Sequence, residues 1–175
     1  LTEQLNGIIK EIGVPVLFGS PSAKRIDSQV RLLNSAYLVD PDGGILADYS
    51  KRHLVPFGEY VPYQSVLFFV HKLVQAAGNF AAGGDSSPLR IGDLKIGMLI
   101  CYEAIFPNLA RSAFKDGANC FVNITNDAWF GQSSAPYQHK EMAGWRAIEF
   151  RAPLIRAANT GVSTVFDATG KNSGT

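Results

Sequence analysis

The pattern of apolar and polar positions divides the first third of the chain into one helix and three strands. Apolar residues recur at helical spacing over residues 1–12, which predicts a helix that ends at Gly13. The run VPVLFGS that follows is continuously apolar, as in a strand buried on both faces. The polar stretch SAKRIDSQ, residues 22–29, is predicted to be a loop. Residues 30–40 and 45–50 are predicted to be a hairpin around the turn PDGG.

The rest of the chain keeps alternating between strand and helix patterns. LRI and LKIGMLIC predict a second hairpin, and Pro107 fits the first turn of a helix that stops at a glycine. ANCFVNI, PLIRAAN and VSTVFD read as strands, whereas QSVLFFVHKLVQAAG and PYQHKEMAGWRAIEFRA read as helices. We therefore expect a single mixed α/β domain built in layers.

Composition excludes several classes of protein. The 175 residues carry a formal net charge of +1 with no basic tract, so nucleic-acid binding is not expected. Two cysteines cannot form a disulfide framework, and the spacing of cysteines and histidines matches no zinc motif, so we predict no metal or cofactor. No apolar run reaches the roughly 18 residues that a membrane span needs.

Cys101 is the candidate nucleophile. A cysteine after an apolar strand is usually a small core residue. Here, however, the strand KIGMLI ends at Cys101, and functional residues of α/β folds gather at the carboxyl ends of strands. A helix begins a few residues later, and its N-terminal dipole favours a thiolate nearby. Cys120 serves as a control, because it begins its strand and is predicted to be a core residue out of disulfide reach of Cys101.

Three motifs together resemble the nitrilase, or carbon–nitrogen hydrolase, superfamily. They are YSKRHLVPFGEYVP, ICYEAIFP and NITNDAWFG, and their order and spacing are most similar to the branch of bacterial apolipoprotein N-acyltransferases. The later run RAIEFRAPLIRAANTGVS fits the same branch. The resemblance implies a four-layer α-β-β-α sandwich, of which this chain would be a partial domain.

The resemblance also implies a Glu–Lys–Cys triad. Its lysine falls on Lys51 and its nucleophile on Cys101, while a further functional glutamate falls on Glu59. Lys51 would supply positive charge and, with the backbone N–H of Tyr102, bind the oxyanion. Glu59 would hold Lys51 charged or position the acceptor amine; a carboxylate that caps its own loop is the alternative. Glu103, next to Tyr102, is either part of the site or a cap of the helix that follows.

The implied reaction has two steps. Cys101 takes an acyl group from a phospholipid as a thioester, and the N-terminal amine of a lipid-modified apolipoprotein then accepts it. The implied location is the bacterial inner membrane, with the catalytic domain facing the periplasm. The general-base glutamate and the membrane spans of the branch are expected outside this chain, since neither Glu3 nor Glu11 stands in the required motif. The chain alone is therefore predicted to be inactive.

Aromatic residues are the candidate lipid contacts. Phe68 and Phe69, in the predicted helix, would face acyl chains, although a helix packed on the core is the alternative. Trp129 and Phe130 would line the acyl channel or pack below it. Two other functions stay open: a soluble amidase with the same triad, and a non-catalytic lipoprotein-binding module.

Overall fold

The computed structural model describes residues 3–26, 28–60, 80–84 and 87–173, which form two facing sheets with helices outside them. Helix α1 spans Glu3–Ile12, and strands β1 (Val16–Ile26), β2 (Gln29–Val39) and β3 (Ile45–Ser50) form an antiparallel sheet in that order. The predicted helix that ends before Gly13 and the predicted hairpin of residues 30–50 are confirmed. The second predicted hairpin, LRI with LKIGMLIC, is confirmed in the other sheet. The predicted helix over QSVLFFVHKLVQAAG lies outside the described residues, as do Phe68 and Phe69.

The second sheet carries five strands. They are β4 (Leu89–Ile91), β5 (Leu94–Ile100), β6 (Cys120–Asn126), β7 (Leu154–Asn159) and β8 (Thr164–Phe166), in that order across the sheet. The central strands β5, β6 and β7 run parallel, so their carboxyl ends share one edge. Helices α2 (Pro107–Lys115) and α3 (Ala135–Phe150) connect them. Two short 3₁₀ turns, Cys101–Ile105 and Ala128–Phe130, follow β5 and β6.

Two apolar clusters hold the layers together. One joins Ala36, Leu38 and Tyr49 of the first sheet to Ile96, Met98 and Ile100 of the second, so the sheets pack face to face. The other packs small residues of α2 and α3 on the outer face of the second sheet, around Phe121 and Leu154. Ile9 of α1 and Val39 of β2 are fully buried as well. The layers follow the predicted α-β-β-α order.

One predicted loop is wrong. SAKRIDSQ was expected to be irregular because it is polar, yet β1 continues to Ile26 and pairs with β2 through eleven successive residues. The end of this hairpin is mostly exposed on both faces, from Lys24 to Ile26 and from Ser28 to Leu32. Polar side chains are therefore compatible with the strand, and cross-strand hydrogen bonding decides its conformation.

Candidate active site

Cys101 lies at a sharp bend between β5 and the first 3₁₀ turn. Its φ of 52° places it in the left-handed region, which costs a non-glycine residue about 1–3 kcal/mol. The bend ends β5 and turns the chain out of the core at the edge where the parallel strands finish. Such strain at a strand end is the geometry of a nucleophile elbow, although the Gly-x-Ser-x-Gly sequence is absent. Cys120 is buried and pairs with Ile96, at the other end of β5, and both cysteines are free, as predicted.

A cavity of about 820 Å³ opens beside Cys101. Cys101, Lys51 and Glu59 all line this cavity, so the structure brings together the three residues assigned to catalysis from the sequence. Asn34 lines it as well. Apolar residues from both sheets line much of the remaining wall: Leu17, Phe18, Ile100 and Ile124. Glu3 and Glu11 are exposed on α1 and do not line this cavity.

Lys51 and Glu59 form a buried ion pair. The Lys51 ammonium donates to Oε2 of Glu59 at 2.7 Å, and the lysine side chain is only 1% exposed. Glu59 also accepts from the Val55 N–H at 2.8 Å and from Nδ2 of Asn34 at 2.9 Å. The contacts of Glu59 therefore agree with both alternatives: the carboxylate pairs with Lys51, and it also accepts a backbone N–H of its own loop, that of Val55. A buried lysine needs such a partner, because an isolated charge is costly away from water.

The loop that carries Lys51 is fixed by backbone contacts. Lys51 donates its N–H to the Asn34 carbonyl at 2.8 Å and accepts at its own carbonyl from Gly83 at 2.8 Å. A Cβ at Gly83 would lie 2.3 Å from the Ser50 carbonyl oxygen, so only glycine permits this close approach. Phe80 donates to the Glu59 carbonyl at 3.1 Å. The lysine thus sits on a strand end that neighbouring segments hold in place.

Glu103 connects the lysine loop to the cysteine bend. One oxygen accepts the N–H groups of Arg52 at 2.7 Å and His53 at 3.0 Å, the other accepts the Ile100 N–H at 2.8 Å, and the Tyr49 hydroxyl donates to both. Burial raises the pKa of the Glu103 carboxyl, and these donors oppose the shift. Of the two readings of Glu103, the cap of α2 is wrong, because the 3₁₀ turn intervenes and the side chain caps that turn at Ile100. Glu103 is fully buried and does not line the cavity.

The aromatic site candidates have different surroundings in the structure. Tyr102 is half-buried and packs edge-on against Phe106, with ring centroids 5.0 Å apart. Trp129 is 71% exposed and lines the cavity, whereas Phe130 packs its ring on His139 at 5.8 Å. Trp129 therefore fits the channel alternative and Phe130 the packing alternative.

Sequence reasoning missed a buried polar cluster behind Cys101. Asn123, Asp127, His139 and Arg156 lie there, each at most 4% exposed. Asn123 and Arg156 face each other across β6 and β7. The signal was present as a polar residue inside each of two apolar strands, ANCFVNI and PLIRAAN. His139 lies in PYQHKEMAGWRAIEFRA, a run whose pattern predicts a helix and no site residue.

No helix among the described ranges combines the length and apolar character that a membrane crossing requires. Within the same ranges, no group of three or more histidine, cysteine or acidic side chains is placed to hold a metal ion.

Comparison with known proteins defines the class. The sequence model of the carbon–nitrogen hydrolase family matches residues 1–173, and the chain belongs to that family. A carbon–nitrogen hydrolase from Helicobacter pylori has the same fold, with a TM-score of 0.70 at 19% identity over 96% of this chain and 59% of its own. An amidase from Nesterenkonia sp. AN1, with the acetamide moiety of fluoroacetamide covalently added at its active-site cysteine, gives 0.67 at 24% identity over 97% and 59%.

Within the family, the chain is similar to apolipoprotein N-acyltransferases. It is 46% identical over 167 residues to the one from Geobacter metallireducens, which is 95% of this chain and 32% of that protein. It is 43% identical to the one from Bradyrhizobium diazoefficiens, over 91% of this chain and 30% of that protein. The chain thus spans about a third of the length of these relatives. The resemblance drawn from the motifs is confirmed.

Proposed function

We propose that this chain carries the acyl-transfer site of an apolipoprotein N-acyltransferase. The observation that carries the proposal is the buried Lys51–Glu59 pair, at 2.7 Å, in the wall of the cavity that also exposes Cys101. The similarity to N-acyltransferases at 43–46% identity supports the choice of reaction within the family.

In the first step, the sulfur of Cys101 attacks the ester carbonyl carbon of a phospholipid. The thiol proton passes to a base, which the family resemblance assigns to a glutamate. The carbonyl electron pair moves onto oxygen, where the Lys51 ammonium and the Tyr102 N–H stabilise the negative charge. Collapse of this intermediate expels the lysophospholipid alkoxide, which takes a proton and leaves the acyl thioester on Cys101.

In the second step, the N-terminal amine of a diacylglyceryl-modified apolipoprotein attacks the thioester. The amide bond forms as the carbon–sulfur bond breaks, the amine loses a proton to the base, and the Cys101 thiol is regenerated. The apolar part of the wall suits an acyl chain and keeps water from the thioester. The same proposal includes a phospholipid as the acyl donor, attachment of the enzyme to a membrane and a site that faces the periplasm.

Mass spectrometry of the acyl-enzyme tests the reaction. The protein expressed in full from its gene is incubated with palmitoyl-phosphatidylethanolamine liposomes, then with a synthetic peptide that begins with diacylglyceryl-cysteine. We expect one palmitoyl group on Cys101, lost when the peptide is added, and no acyl-enzyme in Cys101→Ala. Cys120→Ala is the matched control and keeps the reaction, because that thiol faces the core. Absence of the thioester in the wild type would reject the proposal.

An amidase is the second candidate, and its support is the fold shared with the Nesterenkonia amidase. Release of ammonia from acetamide, dependent on Cys101 and without any thioester from phospholipid, would favour it. A non-catalytic binding module would show neither activity and no alkylation of Cys101 by iodoacetamide at neutral pH.

A further inference from the structure

The main-chain carbonyl of Cys101 is held from behind by two side chains. His139 of α3 approaches it through Nε2 at 3.1 Å, and Asn123 of β6 donates to it through Nδ2 at 3.3 Å. Both side chains are buried, at 4% and 0% exposed, and neither lines the cavity. They therefore contact the nucleophile's backbone from within the core and not from the cavity.

Arg156 fixes the orientation of both groups. Its guanidinium donates to Oδ1 of Asn123 and, at 2.7 Å, to Oδ2 of Asp127. With its oxygen bound to the arginine, the Asn123 amide turns its NH₂ group toward two carbonyls, that of Leu99 at 2.9 Å and that of Cys101. The same guanidinium lies 3.2 Å from Nδ1 of His139.

The His139 ring donates to Cys101 in either charge state. A carbonyl only accepts hydrogen bonds, so Nε2 carries a proton. Burial and the Arg156 charge lower the pKa of His139, which favours the neutral ring with Nδ1 as acceptor from Arg156. Asp127 lies 3.0 Å from the same Nδ1, so a protonated ring would pair with that carboxylate. The bond from Nε2 to the Cys101 carbonyl persists through the titration.

The carbonyl of Cys101 and the N–H of Tyr102 belong to one peptide group. The peptide is trans, so the two bonds point in opposite directions across its plane. Fixing the carbonyl on the buried side therefore fixes the direction of the N–H on the other side. This restraint matters because Cys101, at φ 52°, is in a conformation that its own sequence does not favour.

We propose that His139 and Asn123 are positioning residues that clamp the Cys101–Tyr102 peptide and keep the Tyr102 N–H aimed at the oxyanion. The inference rests on the proposed function, since it requires Cys101 to be acylated. In the step concerned, the sulfur bonds to the acyl carbon and the carbonyl electron pair moves to oxygen. The Tyr102 N–H donates a hydrogen bond to that oxygen and keeps its proton.

Two reagents separate orientation of the oxyanion donor from reactivity of the thiol. Acylation of Cys101 by p-nitrophenyl butyrate passes through an oxyanion, whereas alkylation by iodoacetamide does not. In the full-length protein, we expect His139→Leu to slow acylation about 10- to 100-fold, less than outright loss of a donor, and to change alkylation less than about threefold. His139→Gln places an amide N–H near the position of Nε2 and should restore most of the acylation rate.

Arg146→Met is the matched control. Arg146 is buried on the same helix and donates to the Ile105 carbonyl at 3.2 Å, at the far end of the same 3₁₀ turn. The Arg146→Met substitution should lower the melting temperature without a selective loss of acylation. Parallel loss of both reactions in His139→Leu, unchanged acylation, or the same selective loss in Arg146→Met would overturn the positioning role alone. A wild-type protein that p-nitrophenyl butyrate does not acylate at Cys101 would overturn it together with the proposed function.

Discussion

Two buried ion pairs with the same nitrogen–oxygen distance lie near Cys101, one at the cavity and one in the core. On the cavity side, Lys51 lies 2.7 Å from Glu59, and on the core side Arg156 lies 2.7 Å from Asp127. The Glu59 side chain is 13% exposed, whereas both side chains of the core pair are fully buried. Burial is common to both pairs, so contact with the cavity is what distinguishes the candidate site.

The two pairs should respond differently to the loss of their cations. A carboxylate left alone in a dry core costs about 3–5 kcal/mol of stability. A carboxylate next to a cavity can be hydrated, so the same change costs less stability. Damage to the cavity pair should therefore appear mainly in the reaction rate, and damage to the core pair mainly in the free energy of unfolding.

Lys51→Met tests the cavity side and should have the largest effect. We expect the rate of acyl transfer to fall about 10²–10³-fold, because the substitution removes the proposed oxyanion donor. It also removes the one cation among the described contacts of the Glu59 carboxylate. Lys24→Met is the matched control, since Lys24 also pairs with a carboxylate, Asp48, but at the surface. A Lys51→Met protein that keeps its rate within tenfold would break the comparison.

Arg156→Met tests the core side. We expect the free energy of unfolding to fall by about 3 kcal/mol, because Asp127 is left buried without its cation. Chemical denaturation of the full-length protein measures the loss. The double variant Arg156→Met with Asp127→Leu should recover part of it, since the unpaired charge is then removed. Equal stability of wild type and Arg156→Met would contradict the assignment.

The smallest expected effect is a pH dependence of stability on the core side. The pKa of His139 is lowered from its ordinary value of 6.5, chiefly by burial and then by Arg156, so the folded state resists protonation. As pH falls below about 6.5, the unfolded state binds a proton that the folded state does not, and stability is lost. The loss is at most about 1.4 kcal/mol per pH unit.

Thermal unfolding between pH 7 and pH 5 measures this dependence. His139→Gln should flatten the curve relative to wild type, because glutamine does not titrate. Glu103, whose pKa is raised by burial, contributes with the opposite sign in both proteins and cancels in the difference. Curves of identical slope would show that His139 is not the titrating group.

The cavity side was predictable from sequence and the core side was not. Lys51 and Cys101 each end a strand whose pattern is clear, and Glu59 sits in a Pro- and Gly-rich motif with a specific family resemblance. The core cluster joins β6, β7 and α3, and only the register of Asn123 opposite Arg156 brings its members together. Strand pattern alone does not specify which parallel strands are neighbours or how they align.

Local conformation around Cys101 was also beyond the sequence. A left-handed φ is expected of glycine, and nothing in GMLICYEAIFPN indicates it at a cysteine. The bend is determined by long-range contacts: Glu103 ties Ile100 to the lysine loop, and α3 holds the Cys101 carbonyl. The loop predicted at the end of the first hairpin was wrong for the converse reason, since cross-strand pairing there overrides a polar composition.

The opposed settings of the two cysteines have a practical consequence. Cys101 opens onto a cavity, while Cys120 is buried and its pKa is raised by that burial. A thiol-directed fluorophore or nitroxide should therefore label this part of the protein at one place without any prior mutation. That label would sit at the proposed acyl-binding position, and a change in its emission or mobility on addition of phospholipid would report entry of the proposed acyl donor.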